Sequence, residues 1–529
     1  MTRAELAAQA FKECTSPETT VRYGVKRGLP FWNVESTMFM YVPAFHFTAM
    51  RCCNRYLYKA VDVNGVTHSF EADDCCVLLT PIWAELPEGI VQLTVYALND
   101  DGSEHCIVGA RTFYRLASFP EVTPPAVCSY KEAAIKAYRF AMSQGFVQHW
   151  LKEGTPDPYY DLNTYPSKMI ASLGKAMLSY ARLCPEDAAD ALKVAVSAAD
   201  WLIGITPRGD DPLADLPPTY YLDFCPDPVK CGIVTPNWHA AVAHMGTMMM
   251  IYPVSVGEMY LELEAATGNT KYLDEALKIG RYYLRTIEPN GSWFLVRSTK
   301  TGEPLTPNYV SPLEAVTPFI MSLYKRTGDE CWKQLADKTV SYMLNTQLPS
   351  YNWEGQFEDS PLSTNYMNLT HYGPTSLATY YAEYHADDPK CLALAEQLMR
   401  FVEDQFVIWN KPFPWNHLSN EPGGEPYDTT LWHTPCALEQ YGWYVPIDAS
   451  ASAVLMGFLA LYKAGCGELW LAKARVLADQ LTVVQHENGQ IPTHWMGTPN
   501  AEQNFWFNCM FASCRTLEAM SAYEDYKFE

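Results

Sequence analysis

The sequence predicts a mainly α chain, a ring of six helical hairpins closed on itself and preceded by a small all-β domain. Three observations carry this expectation. Periodicity changes from strand-like to helix-like near residue 125, the helices share an internal repeat, and short turns alternate with long connections. The β part is assigned to residues 1–122 and the helical part to residues 126–529.

Taken in order, Met1-Thr-Arg-Ala-Glu-Leu-Ala-Ala-Gln-Ala-Phe-Lys12 reads as a short amphipathic helix with interspersed charges. It lacks the pattern of a secretory signal, so a cytoplasmic location is expected. Residues 20 to about 120 contain β-prone runs beginning at Met38, Arg55, Cys76, Ile90 and Ile107. Asn64-Gly65 and Asn99-Asp-Asp-Gly102 supply tight turns between runs. Five short strands in about 100 residues suggest a sandwich of fibronectin or immunoglobulin type. Phe119-Pro-Glu-Val-Thr-Pro-Pro125 then marks the boundary.

Twelve helices follow in six pairs. The spacing predicts 129–142 with 166–182, 185–203 with 253–267, 270–288 with 311–327, and 329–348 with 372–386. The last four span 388–408, 446–464, 467–485 and 505–522. Tyr272-Leu-Asp-Glu-Ala-Leu, Cys331-Trp-Lys-Gln-Leu-Ala, Cys391-Leu-Ala-Leu-Ala-Glu and Leu469-Trp-Leu-Ala-Lys-Ala each open a helix after a Gly/Asp turn. Two of these helices end at Asn290-Gly291 and Asn488-Gly489, and a third at Tyr351-Asn-Trp353. The other helix of each pair is rich in small residues, as in Ala449-Ser-Ala-Ser-Ala453 and Ser255-Val-Gly257, which marks it as an inner helix. A helical repeat closed on itself buries its core without capping units.

Composition narrows the function. With 60 Asp+Glu against 38 Lys+Arg the net charge is −22, which argues against nucleic acid and anionic membranes as partners. Hydrophobic residues at 48% and aromatics at 13% exclude disorder. The 16 cysteines are scattered, with doublets Cys52-Cys53 and Cys75-Cys76, and read as buried free thiols. There is no HExxH, Walker loop, GxSxG or suitably placed GxGxxG, and His239 and His244 are wrongly spaced for a shared metal. Neither cofactor nor metal is expected.

Six hairpins, repeat helices ending near Asn-Gly or an aromatic loop, and long loops gathered on one face resemble the six-hairpin glycosidase superfamily. The resemblance covers residues 126–529 and implies an (α/α)6 barrel. Within the superfamily the chain looks most like enzymes of uronic-acid saccharides, such as unsaturated glucuronyl hydrolases or the β-glucuronidases of glycoside hydrolase family 154. A β-sandwich ahead of the barrel fits the latter. The implied activity is an exo-acting glycoside hydrolase on oligosaccharides containing uronic acid. The alternatives are an oligosaccharide lyase, a sugar epimerase on the same barrel, and a non-catalytic carbohydrate-binding protein. Whether the chain forms a homo-oligomer stays open.

The long loops carry Trp238, His239, Trp353, Trp432, His433, Trp443 and Trp495, with His371 and Tyr372 at an inner-helix start. Aromatic faces stack on sugar C–H surfaces while polar groups take the hydroxyls, so these are the candidate substrate-binding residues. Hydrolysis needs two carboxyl groups. Glu358 or Asp359, in Trp353-Glu-Gly-Gln-Phe-Glu-Asp359, is the expected acid/base, and Asp448 or Glu258 the partner. Asp448 and Glu314 share a register, each two residues after a proline at an expected helix start. Arg208 and Arg297 are candidate carboxylate binders, and an epimerase would use His239 with His371.

Overall fold

Capping chemistry sets the first element. The Glu5 amide donates to Thr2 Oγ1 and the Thr2 amide donates to the Glu5 carboxylate, a reciprocal cap that starts helix α1 (Arg3–Thr15). The structure, a computed structural model, describes residues 1–19, 36–306, 310–354, 369–410, 428–440, 443–498 and 506–528, with backbone alone at Trp443 and Tyr444.

Five strands form one sheet: β1 (Met38–Phe39), β2 (Tyr56–Val61), β3 (Thr67–Ala72), β4 (Gly89–Leu98) and β5 (Glu104–Arg115). Their order is β1-β5-β4-β2-β3, antiparallel except for β1 beside β5. Alternation along β2 and β4 puts Tyr56, Tyr58, Val91, Leu93 and Val95 on one face. Among the described residues that face is covered by Phe45, Leu79, Ile82 and Trp83, from loops and one helical turn, instead of by a second sheet. The run at Cys76 departs from the expected strand because Pro81 enters a helical turn at Thr80–Trp83. β3 was invisible to apolar periodicity because it is an edge strand with no buried residue.

The helical part is an (α/α)6 barrel. Six inner helices follow one another around a closed ring: α3 (Pro166–Leu183), α5 (Pro253–Thr267), α7 (Val316–Thr327), α9 (Tyr372–Tyr384), α11 (Asp448–Lys463) and α13 (Phe507–Met520). Five outer helices each pack on the inner helix that precedes them: α4 (Ala188–Ile205), α6 (Thr270–Thr286), α8 (Glu330–Tyr342), α10 (Pro389–Phe406) and α12 (Glu468–Val484). The sixth outer helix, α2 (Tyr130–Ser143), packs on the last inner helix, α13, and so closes the ring. The tight hairpins therefore join five of the inner helices to the outer one after each, a shift of one helix from the expected pairing. Short turns force this choice, and left-handed Gly268 and Gly328 end α5 and α7.

Small residues let inner helices approach closely, as expected. A Cβ at Gly257 of α5 would collide with Phe319 of α7, and one at Gly174 of α3 with Met259 of α5. The repeated Asn-Gly endings have a packing role too. Gly291 and Gly489 adopt left-handed backbone, and a Cβ on either would strike the carbonyl of Lys338 or Lys136 on the adjoining outer helix.

A buried polar joint fixes the sheet to the barrel. The Asp404 carboxylate accepts the Met40 and Tyr41 amides at 2.7 and 2.8 Å. Beside it Glu403 accepts Tyr41 Oη, Trp409 Nε1 and Lys473 Nζ at 2.8, 2.9 and 2.6 Å. α1 buries Leu6, Ala10 and Cys14 in the barrel's core and packs on α12. All 16 cysteines are free, but only six are buried; nine are half-buried and Cys52 is exposed. Among the described residues no helix is long and apolar enough to cross a membrane.

Candidate active site

The ring of inner helices encloses a cavity of about 560 Å³, a volume suited to a small saccharide. Near the N-terminal ends of those helices its wall carries Lys168, Tyr252, Glu314, Tyr372, Glu439 and Asn508. A second chamber of about 700 Å³ shares Met456 and Asn508 with the first. The cations of this chamber are paired: Lys175 meets Glu258 on its wall at 3.1 Å, and Arg515 meets Glu262 at 2.8 Å.

Glu314 was expected in the first turn of an inner helix. Instead α7 begins at Val316, and Leu313 takes φ +48 just before Glu314. Left-handed backbone at a buried leucine costs about 1–3 kcal/mol, strain of the kind found at functional sites. It turns the Glu314 carboxyl to the cavity wall, where its backbone carbonyl accepts Ser376 Oγ at 3.1 Å. Gly373 makes room: a Cβ there would stand 3.1 Å from Glu314 Oε1 and 3.0 Å from Trp353 Cε3.

Glu439 comes from a small sheet of β6 (Val407–Ile408), β7 (Cys436–Gln440) and β8 (Trp443–Pro446). The register between β7 and β8 shifts at Glu439, and such a bulge re-aims a side chain. The carboxyl reaches the same cavity as Glu314. Burial, reinforced by the Glu439 charge, pushes the neighbouring Tyr372 phenol up.

Lys168 lies in the first turn of α3, where the helix dipole disfavours a cation. Two rings compensate, with its Nζ 4.7 Å from the Trp506 centroid and 5.6 Å from that of Tyr252. At this end the wall thus presents a cation and two carboxyl groups from separate elements, while Lys325 and Glu383 line it toward the other end of α7 and α9.

The structure distributes the expected site residues widely. Glu358 and Asp359 lie outside the described residues, as does the Trp443 side chain. Asp448 is fully buried behind the wall, accepting Ser513 Oγ at 3.0 Å and the Ala449 amide at 2.8 Å, and burial pushes its carboxyl well up. Its first-turn position points it at α13 instead of the cavity. Glu258 lines the second chamber with Lys175 as its partner. His371 is buried against Ser450 Oγ at 2.8 Å and pushed down to about 3 by desolvation, so it stays neutral.

The expected tryptophan platforms are packing residues wherever they are described. Trp353 and Trp495 are fully buried, Trp495 donating from Nε1 to the Pro492 carbonyl at 3.2 Å. Trp432 is buried, and Trp238 packs with Cys225 and Ile233 inside its own connection. Loops with many aromatics need apolar anchors on the barrel, and that need is what these rings meet. His239 is exposed on the helix Pro236–Ala243, and His433 is half-buried where its amide donates to the Trp495 carbonyl. Arg208 is engaged by Asp215 and Glu275, and Arg297 by the Gly302 carbonyl. Of the substrate-binding set, Tyr372 alone among the described side chains lines the cavity.

Sequence reasoning missed Lys168 and Glu439. Lys168 stands two residues after Pro166, the register shared by Glu314 and Asp448, but as a cation it falls outside the carboxyl pattern that hydrolysis calls for. Glu439 offered a different signal, a lone carboxylate in the apolar strand Cys436-Ala-Leu-Glu-Gln440.

No family model and no curated protein matches the sequence. Solved structures with a similar arrangement include a family 76 glycoside hydrolase from a bovine Bacteroides thetaiotaomicron strain, at 11% identity and TM-score 0.47, over 89% of this chain and 93% of that one. A cellobiose 2-epimerase from Spirochaeta thermophila aligns at 12% identity and TM-score 0.47, over 74% of this chain and 98% of that one. An unsaturated glucuronyl hydrolase specific for heparin aligns at 10% identity and TM-score 0.43, over 75% and 96%. Similarity this distant leaves activity and substrate to the site itself.

Proposed function

We propose that the chain is a carbohydrate-active enzyme, and within that class an exo-acting glycoside hydrolase that removes a terminal uronic acid from short oligosaccharides. The observation that carries this reading is the placing of Glu314, Glu439 and Lys168 on the wall of one sugar-sized cavity. In the proposed reaction one of the two glutamates protonates the glycosidic oxygen. The other activates water or attacks the anomeric carbon. The Lys168 ammonium holds the uronate carboxylate, and the Tyr252 and Tyr372 rings face the sugar. A cavity set within a ring of helices suits the end of a saccharide chain better than its middle.

Asp448 acts in this reading as a positioning residue behind the wall, its buried carboxyl tying the start of α11 to Ser513 of α13. Glu358 and Asp359 stay as further acid/base candidates. The hydrolase reading is preferred to the epimerase one because neither His239 nor His371 is among the residues lining the cavity. A lyase would be betrayed by ultraviolet absorbance from a new C4–C5 double bond.

The test uses uronic-acid-capped disaccharides with Glu314→Gln, Glu439→Gln, Glu358→Gln and Asp359→Asn. Loss of about 10²–10⁴ in kcat with each of the first two, and sugar release without new absorbance, is the expected result. Unchanged turnover in both cavity variants would sink the assignment of the pair. Sugar binding without turnover would favour the binding-protein alternative.

A further inference from the structure

The sheet carries a cluster unrelated to the barrel cavity. Cys52 and Cys53 precede β2, and His105 enters from β5, far away in sequence. Their Sγ and Nε2 atoms all lie within 4.8 Å of one another. Cys52 Sγ is 3.7 Å from Cys53 Sγ and 3.9 Å from His105 Nε2. Tetrahedral zinc with bonds of about 2.3 Å to sulfur and 2.0–2.1 Å to nitrogen would separate those atoms by about 3.8 and 3.6 Å. The two separations from Cys52 Sγ therefore stand within a few tenths of an ångström of a zinc ligand set, and the third, between Cys53 and His105, is within 4.8 Å.

Three local features hold them there. β4 and β5 slip register between Leu98–Glu104 and Ala97–Cys106, which makes His105 the extra residue of a bulge and aims its ring at the cysteines. The turn carrying the cysteines is pinned by Tyr56, whose hydroxyl accepts the Met50 amide and donates to the Cys53 carbonyl, both at 3.2 Å. The tautomer of His105 is also determined. Ser103 Oγ donates to Asp101 at 2.6 Å, so it accepts Asn99 Nδ2 at 2.9 Å, which turns Asn99 Oδ1 toward His105. His105 Nδ1 then donates to that oxygen at 3.0 Å, leaving the Nε2 lone pair facing Cys52.

We propose that Cys52, Cys53 and His105 form a zinc-binding site on the sheet, with solvent as the fourth ligand. Binding displaces one proton from each thiol to solvent, and two thiolates with a neutral imidazole balance the charge of Zn²⁺. The exposure of Cys52 makes the ion exchangeable, unlike a closed structural zinc. Its ligands come from two segments and include no CxxC, so no contiguous motif announces it.

The test titrates the reduced full-length protein with Co²⁺ alone and follows its visible and near-ultraviolet spectrum. Tetrahedral ligand-field bands and thiolate charge-transfer bands should saturate at about one Co²⁺ per chain and vanish on adding Zn²⁺. Cys52→Ser, Cys53→Ser and His105→Asn should each weaken binding at least tenfold, and Cys391→Ser should not. Asn99→Ala keeps all three ligands and should still weaken binding about 10–100-fold. A titration without tetrahedral bands overturns the proposal, as do bands that survive the Cys52→Ser/Cys53→Ser pair. The same thermal midpoint in metal-free variant and parent separates loss of the site from loss of the fold.

Discussion

Replacing Lys473 by methionine would strand one charge inside the wall that joins the sheet to the barrel. Lys473 and Glu403 are both fully buried and meet at 2.6 Å. Lys473 Nζ also stands 4.6 Å from the Trp470 ring centroid. Without the ammonium, Glu403 keeps Tyr41 and Trp409 as donors but holds an uncompensated charge. Breaking a buried pair in this way costs about 3–5 kcal/mol. For 529 residues the unfolding entropy is about 1.1 kcal/mol/K, so a single cooperative transition would move down by about 3–5 °C. Adding Glu403→Gln removes the stranded charge while keeping an acceptor for Tyr41 or Trp409, and should restore most of the loss. Calorimetry and denaturant unfolding of the two single variants and the double variant form a complete cycle. If Lys473→Met costs less than about 1 kcal/mol, or the double variant is no better than the single, the joint does not work as described.

Three further outcomes are expected. His371, held near 3, contributes stability above the unfolded histidine value of about 6.5 that is lost as pH falls toward 3, by up to about 1.4 kcal/mol per pH unit. Asp448, pushed up, contributes stability that is full below about 3.9 and lost as pH rises through its folded value. Denaturant midpoints across pH should therefore lose their acid-side slope in His371→Gln and the opposing slope in Asp448→Asn. Gly373→Ala would push Glu314 and Trp353 apart, since the added Cβ would lie 3.1 and 3.0 Å from them. A cost of about 1–3 kcal/mol, partly offset by alanine's better helix propensity, and a reduced kcat should appear together in melting curves and turnover. Lys168→Met should raise KM for a uronic-acid substrate at least about tenfold while sparing the neutral-sugar analogue, as competition kinetics with the two would record.

The ring was legible because each helix carries its own signal. Pro253 and Gly268 bracket α5, and apolar spacing along α12 persists for 17 residues. The site was less legible for a physical reason. Trp353 and Trp495 follow the same composition rule whether they face a ligand or anchor a loop, and a sequence cannot say which. Asp448 and Glu314 share a proline register, yet the left-handed Leu313 sends one carboxyl to the cavity while the other turns back to Ser513. That backbone choice depends on the partner helices, which lie far along the chain. Lys168 was legible in principle, because a cation in a first helical turn runs against the dipole and calls for an anion or a ring to hold it.

The central claim is that sugar reacts inside the ring between Glu314 and Glu439. Its most direct test is a crystal structure of Glu439→Gln with a uronic-acid-capped oligosaccharide. The terminal ring should lie in the inner cavity with its carboxylate at Lys168 and its glycosidic oxygen beside Glu314 or Gln at position 439. The spacing of those two side chains across the bond would then assign retention or inversion. A saccharide bound on the loop surface or in the second chamber, with the inner cavity empty, would contradict the account.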